Sequence, residues 1–182
     1  MEIKRLEREA YAGRQFTAWY QISGSYGILT SQQGFRVEYV PLKALAERSF
    51  EDVLFGEWLE APAVFGAFEG GRLPGFVEGS PETWNRRFRV SDLCVFEETA
   101  RRRGVGTALM AAVTETAAAS GARMMVLETQ SCNERAIAFY RKNGFSLIGF
   151  DLYAYSNSDP ERHEVRLEMG KMLPPEKAET TT

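Results

Sequence analysis

At 182 residues the chain is long enough for one hydrophobic core and short for two domains, so we expect a single domain over residues 1–173 and a disordered polar tail over 174–182. Its 22 basic and 25 acidic residues leave a net charge of −3, which argues against a nucleic-acid partner and suits a cationic substrate. The charged start MEIKRLERE and the lack of a long apolar run predict neither a signal peptide nor a membrane partner.

The cysteine and histidine content argues against a disulfide-rich or metal-binding protein. Two cysteines, Cys94 in a predicted core strand and Cys132 in a loop, indicate no disulfide framework and favour the reducing cytoplasm. The single histidine, His163, is predicted to lie far from Cys132 in a C-terminal strand, which gives little support to a Cys–His catalytic pair. Because the sequence contains no His/Cys cluster, we predict no metal site.

The N-terminal half reads mainly as β-structure. Residues 14–22 and 25–40 contain the β-rich runs FTAWYQI, YGILT and FRVEYV, with a Gln-Gln-Gly turn between the last two. Residues 43–59, KALAERSFEDVLFGEWL, are predicted as a helix, weakened at Gly56. The run AVFGAFEGGRLPGFVEGS predicts a hairpin that turns at Gly70-Gly71, and RFRVSDLCVF predicts the central strand after it.

The stretch VFEETARRRGVGTAL, residues 95–109, carries a strand end, a basic run, two closely spaced glycines and the start of an alanine-rich helix. Gly104 and Gly106 let the backbone turn tightly with its N–H groups pointing inward. The helix N-terminus adds unpaired N–H groups and a partial positive charge. This order predicts a pocket for a phosphate-bearing ligand, with the helix ending at Gly121.

Three kinds of phosphate-binding loop compete for this stretch. A P-loop needs a lysine after the second glycine, and no lysine follows Gly106. A dinucleotide-binding loop needs a small residue where the chain has Leu109, although Glu128 lies at a suitable distance to bind a ribose. The third pattern is R-x-x-G-x-G, formed by Arg101, Gly104 and Gly106.

The segment RMMVLETQSCNERAIAFYRKNGF, residues 123–145, reads as a strand, a loop and a helix. Asn133 begins the helix as an N-cap, and Asn143-Gly144 ends it. The remaining runs, SLIGFDLYAY and HEVRLEMGK, are expected to pair as the last two strands.

Together these two segments resemble the GNAT (GCN5-related) N-acetyltransferase family. The resemblance lies in R-x-x-G-x-G and in the pattern N-x-x-A-x-x-F-Y-x-x-x-G-F from Asn133 to Phe145. The run VLETQ and a strand ending YAYS are most similar to streptothricin acetyltransferase-like members. The resemblance implies an α/β (α+β) fold, in which helices flank a central mixed, mostly antiparallel sheet with a splay between its two central strands.

The resemblance implies acetyl-CoA as co-substrate and no metal. Tyr140 would protonate the departing thiolate, and the backbone N–H of Val95 would polarise the thioester carbonyl. Backbone groups near two strand residues would pair with the pantetheine arm, a glycine loop would bind the pyrophosphate, and an asparagine would contact CoA. These cofactor-binding candidates are Leu93, Val95, Arg101, Arg103, Gly104, Val105, Gly106, Thr107 and Asn133.

A carboxylate is needed to take the proton of the amine, and two candidates stand out. Many related enzymes carry Glu-Asp on the central strand, whereas this chain has Ser91-Asp92. Asp92 is the first choice, although strand alternation places it with Val90 and Cys94 among core residues unless a bulge rotates it. Glu128, at the end of the neighbouring predicted strand, is the second choice.

The sequence defines the amine that accepts the acetyl group less clearly than it defines the co-substrate. Trp84, Glu78 and Tyr153, and also Glu57, could line a cleft for a cationic amine. The resemblance implies transfer of acetyl to a primary amine of a small molecule, with a streptothricin-like antibiotic among the candidates. A protein or peptide N-acetyltransferase and a catalytically silent acyl-CoA-binding regulatory module are the alternatives. We expect a bacterial, cytoplasmic protein and leave a homodimer open.

Overall fold

Nine strands and five helices form the part of the chain that the computed structural model describes, residues 1–96, 98–101 and 103–174. The contacts divide the chain into two units. The first comprises residues 1–16, 51–126 and the chain from Lys171, and the second comprises residues 17–50 and 127–170. The tail predicted from residue 174 lies outside the described residues from Pro175 onward. The single domain predicted over 1–173 stays a prediction.

The first unit is built on an antiparallel series of strands. Its order is β1 (Glu2–Arg5), β4 (Ala63–Glu69), β5 (Arg72–Glu82) and β6 (Arg87–Val95), with the start of β7 (Met124–Gln130) next to β6. The turn predicted at Gly70-Gly71 is confirmed, and both glycines have positive φ.

Three helices belong to this unit. They are the short helices α1 (Arg8–Tyr11) and α2 (Glu98–Arg101) and the 15-residue helix α3 (Val105–Ala119), which packs against β4, β5 and β6. Gly121, with φ of +71°, follows the end of α3 as predicted. The mostly antiparallel sheet with flanking helices confirms the expected α/β fold class, while the splay between the central strands stays a prediction.

A register shift between β5 and β6 decides which way Asp92 faces. Asp92 lies opposite Glu78, but Val90 lies opposite the next β5 residue, Gly79, so Ser91 is an extra residue on β6. Successive residues of β5 point to opposite faces. Asp92 therefore shares a face with Glu78, whereas Val90 lies on the face of Gly79. The prediction that side chains of β6 alternate regularly, which grouped Asp92 with Val90 on one face, is wrong at this position. The bulge at Ser91 places Asp92 and Val90 on opposite faces.

The second unit contains most of a long two-stranded ribbon, β2 (Gln15–Ser31) and β3 (Gly34–Val53), of which residues 15–16 and 51–53 are assigned to the first unit. The Gln32-Gln33 turn is confirmed. The helix predicted over residues 43–59 is wrong, since β3 extends to Val53 and turns follow it. Ala, Leu and Glu favour a helix locally, but pairing with β2 satisfies the same backbone groups over a much longer segment.

The remaining elements of the second unit are α4 (Glu134–Lys142), β8 (Ser146–Asp151), α5 (Asp159–Arg162) and β9 (Arg166–Met172). The strand order is β7, β9, β8, and β8 pairs antiparallel with β9 as predicted. The predicted strand SLIGFDLYAY ends earlier, at Asp151. His163 is not in a strand but follows α5 in a left-handed conformation, with φ of +61°.

Candidate active site

The first turn of α3 begins with backbone N–H groups that have no acceptor within the helix itself. Ala108 makes the helical hydrogen bond to the carbonyl of Gly104 at 3.0 Å, so the N–H groups of Val105, Gly106 and Thr107 precede the regular helical ladder. Gly104 has φ of +81°, and a Cβ there would meet no described atom within 4 Å. Backbone conformation, rather than space, therefore requires this glycine. The arrangement suits an anionic ligand.

Two arginines beside this loop have partners within the protein. The guanidinium of Arg101 donates from Nε to the carbonyl of Val95 at 2.9 Å, which ties α2 to the end of β6. Arg103 forms an ion pair with Glu69. Both arginines are exposed, so their charge still contributes to the field at the α3 N-terminus. Glu97 and Arg102 lie outside the described residues.

The strand residues predicted to pair with pantetheine lie at the end of β6. Leu93 and Val95 are half-buried and lie opposite Val77 and Gly75 of β5. Gly75 approaches β6 closely, because a Cβ there would be 2.6 Å from the carbonyl oxygen of Cys94. Leu93, Val95 and the α3 N-terminus therefore lie along one stretch of the chain, which runs from β6 by way of α2 to α3.

Two acidic residues on β5 and β6 are register partners at this place. Asp92 is 8% exposed, and its register partner Glu78 is 0% exposed. Glu78 Oε1 accepts a hydrogen bond from the N–H of Phe55 at 2.7 Å, while Oε2 has no hydrogen-bond partner among the described residues. Burial raises the pKa of Glu78 to about 7, although the Phe55 N–H favours the ionised form. Glu78, predicted as a substrate-lining residue, is therefore an interior carboxyl group.

In the second unit, Tyr140 lies on α4 as predicted. Its side chain is 9% exposed and packs edge-on against Phe139 and Phe145, with ring centroids 5.6 and 6.0 Å away. Asn133 caps the same helix, since its Oδ1 accepts from the N–H of Ala136 at 3.3 Å. The predicted N-cap is confirmed, while the CoA contact of Asn133 stays a prediction.

Glu128, also in the second unit, is held by two side chains that the sequence analysis did not assign. Arg166 contacts its Oε2 at 2.9 Å, and the hydroxyl of Tyr155 donates to Oε1 at 3.3 Å. Burial, followed by the charge of Glu128, raises the pKa of Tyr155. The run YAYS contained Tyr155, but a contact between residues 128, 155 and 166 has no local sequence signal.

The other predicted substrate residues lie at the surface. Trp84 is 86% exposed in a 3₁₀ turn over Thr83–Asn85, and Tyr153 is 59% exposed in the turn after β8. Glu57 is exposed in the turn that follows β3. These positions leave their side chains accessible to a ligand, and their substrate role stays a prediction.

No group of three or more His, Cys, Asp or Glu side chains in the part of the chain that the structure describes could hold a metal ion. No helix among the described residues is long and apolar enough to cross a membrane. Cys94 and Cys132 are both free and buried.

Comparison with known proteins connects these features to one family. Residues 32–145 match the acetyltransferase (GNAT) family. The chain is 34% identical over 84 residues to streptothricin acetyltransferase A of Bacillus subtilis (strain 168), a match that covers 46% of this chain and 47% of the relative. The chain therefore matches about half the length of this curated relative.

Two solved structures resemble almost the whole chain. A crystal structure of nourseothricin acetyltransferase superimposes with a TM-score of 0.75 at 29% identity and covers 95% of this chain and 98% of its own. A Bacillus anthracis str. Ames protein, assigned as a streptothricin acetyltransferase and solved with acetyl coenzyme A, has the same fold, with a TM-score of 0.73 at 21% identity and coverage of 95% and 97%. The family match spans both motif segments, from the β6–α3 loop to the end of α4. The chain belongs to the GNAT acetyltransferase family.

Proposed function

We propose that this protein is an acetyl-CoA-dependent N-acetyltransferase that modifies a primary amine of a streptothricin-like small molecule. The observation that carries the proposal is the N-terminus of α3, which begins after the left-handed Gly104 and follows β6 and the short helix α2 within the family-matched segment. The names of the relatives, streptothricin and nourseothricin acetyltransferases, support the substrate class. The acetyl coenzyme A in the Bacillus anthracis structure supports the co-substrate.

In the proposed reaction, backbone groups bind and polarise acetyl-CoA. The N–H groups of Val105, Gly106 and Thr107 would bind the pyrophosphate, with Arg103 adding positive charge. Leu93 and Val95 would align the pantetheine arm, and the N–H of Val95 would stabilise negative charge on the thioester oxygen. This role suits a strand end that Arg101 already fixes through the Val95 carbonyl.

The proposed chemistry is direct transfer. The neutral amine nitrogen bonds to the thioester carbonyl carbon, the C–S bond breaks, and its electron pair leaves on the CoA sulfur. A carboxylate takes the proton lost by the substrate ammonium, with Asp92 as first candidate and Glu128 as second. The nitrogen loses its second proton to solvent as the amide forms, while the hydroxyl of Tyr140 gives a proton to the thiolate and regains one from solvent.

The proposed setting is the bacterial cytoplasm. Two buried free thiols suit a reducing compartment, and the named relatives are bacterial. That the protein binds neither nucleic acid nor a membrane stays a prediction. Size-exclusion chromatography with light scattering would decide between monomer and homodimer.

The test follows thiol release from acetyl-CoA with streptothricin, spermidine, lysine and a lysine peptide as acceptors. We expect fastest turnover with streptothricin. A preference for the peptide would support a protein acetyltransferase, and bound acetyl-CoA without turnover on any amine would support a regulatory module.

Replacement of the proposed acid provides a second test. Tyr140→Phe should lower kcat by about 10²- to 10⁴-fold while acetyl-CoA affinity is retained. Tyr11→Phe, on α1, is the matched control and should keep wild-type turnover. Unchanged turnover of Tyr140→Phe would overturn the acid role.

A further inference from the structure

We propose that Glu78 is the terminal proton acceptor of the transfer reaction, and that it receives the proton of the substrate ammonium through Asp92. The inference rests on the proposed function, because it assigns a step of that reaction. It also assigns Glu78 a role different from lining a substrate cleft.

The first observation is the free oxygen of a buried carboxyl group. Glu78 is completely buried, and the Phe55 N–H occupies only Oε1. Its Oε2 has no hydrogen-bond partner among the described residues, and neither does the buried Oγ of the bulge residue Ser91. Buried polar atoms are nearly always hydrogen-bonded, so these two atoms call for an explanation.

The second observation is the position of the β-bulge. The shift at Ser91 turns Asp92 onto the face of Glu78, one residue before Leu93 and three before Val95. Asp92 as a residue retains some exposure, at 8%, whereas Glu78 has none. Asp92, the more accessible residue, would contact the amine, and Glu78, in the interior, would accept the proton from Asp92. In a regular strand Asp92 would face away from Glu78.

The third observation concerns the charges around Glu78. Asp52 on β3 raises the pKa of Glu78, and the guanidinium of Arg8 on α1 lowers it, but burial is the dominant influence. Cys94, on the same β6 face, has its own pKa raised by burial and by Asp92, so it stays a neutral thiol. Glu78 thus changes protonation near neutral pH, whereas an alkyl ammonium has a pKa of about 10.4.

In this relay one proton moves from the substrate ammonium to Glu78. The ammonium N–H bond breaks, Asp92 takes the proton, and Asp92 passes it to Oε2 of Glu78. The amine nitrogen keeps the electron pair with which it attacks the thioester. After product release Glu78 returns the proton to solvent. No other reactant is needed.

The test compares kcat of wild type and Glu78→Gln between pH 6 and 9.5 with saturating amine and acetyl-CoA. Wild-type kcat should rise and level off above neutral pH. Glu78→Gln should be about 10²- to 10⁴-fold slower at pH 7. Its rate should keep rising with the fraction of free amine, so the deficit shrinks at high pH.

A deficit that is constant across pH would overturn the proposal, because a merely structural role would lower the rate equally at every pH. Acetyl-CoA affinity should be unchanged in Glu78→Gln, and Glu82→Gln, four residues along the same strand, is the matched control with a wild-type pH profile. If the wild type itself acetylates no amine, the proposed function fails. If the wild type is active and Glu78→Gln matches it, only this inference fails.

Non-additivity provides a separate check. Asp92→Asn should lower kcat as Glu78→Gln does, and the double variant should be no slower than the slower single variant, because the two groups serve one step. If the fold-decrease in kcat of the double variant equals the product of the two single decreases, the relay is contradicted.

Discussion

Glu78 shows how one interior side chain couples stability to pH. Its hydrogen bond from Phe55 and its free Oε2 lie within a fully buried environment. The folded-state pKa, about 7, lies above that of an exposed glutamate. The folded protein therefore binds more protons than the unfolded chain between about pH 4.5 and 7. Stability should fall as pH rises through that window.

Glu78→Gln should remove this pH dependence. The amide keeps an oxygen that can accept the Phe55 N–H but carries no charge. At pH 8 the variant should exceed wild type in free energy of unfolding by up to about 3 kcal/mol, and at pH 4.5 the difference should be small. Urea unfolding at both pH values measures this. Equal pH slopes for the two proteins would contradict a raised pKa.

Asn133 combines a confirmed structural role with a predicted binding role, and two variants separate them. Asn133→Ala removes the cap on the Ala136 N–H and should cost about 1 kcal/mol of stability. Asn133→Asp keeps a capping oxygen, so urea unfolding should resemble wild type. Its negative charge should weaken acetyl-CoA binding, as measured by calorimetry. Unchanged affinity in both variants would contradict the CoA contact.

At the scale of elements, the local sequence determines α3 to a greater degree than it determines the β2–β3 ribbon. The glycines at both ends of α3 and its alanine-rich sequence predicted its position, because caps and propensity act over a few residues. Residues 43–53 have similar helix-forming composition but pair with β2 instead. The partner lies well upstream in the chain, so no short sequence window reveals it.

Gly104 and Gly121 allow a matched test of the anion site at α3. Their φ angles are +81° and +71°, and in each case a Cβ would meet no described atom within 4 Å. Alanine at either position should cost about 1–2 kcal/mol through backbone strain. Only Gly104→Ala should weaken acetyl-CoA binding, by about two- to fivefold, because only Gly104 adjoins the helix N-terminus, whose first N–H groups have no acceptor within the helix. Equal affinity in both variants would contradict the site.

At the scale of the whole molecule, the chain alternates between the two units. It passes from one to the other at residues 16/17, 50/51, 126/127 and 170/171, and β7 and β9 each contribute residues to both. Such interleaving favours one cooperative unfolding transition. The two buried thiols report on it separately, since Cys94 belongs to the first unit and Cys132 to the second.

Thiol labelling should therefore show a single transition. Burial raises the pKa of both thiols, so native protein at pH 8 should react slowly with a disulfide reagent. In the variants Cys94→Ala and Cys132→Ala, the remaining cysteine should become reactive at a denaturant midpoint that matches the fluorescence transition of the same variant. Labelling of one thiol well below that midpoint would show independent unfolding of its unit.

The sequence by itself determined the hairpin at Gly70-Gly71, the helix after Gly104 and the Asn133 cap, together with the family. These features depend on residues a few positions apart, where backbone conformation, capping and glycine spacing leave a direct signal. Only the tertiary structure decided that Asp92 faces Glu78 and that Arg166 and Tyr155 hold Glu128. Those facts depend on strand register, a one-residue bulge and burial, which arise from pairing between distant segments.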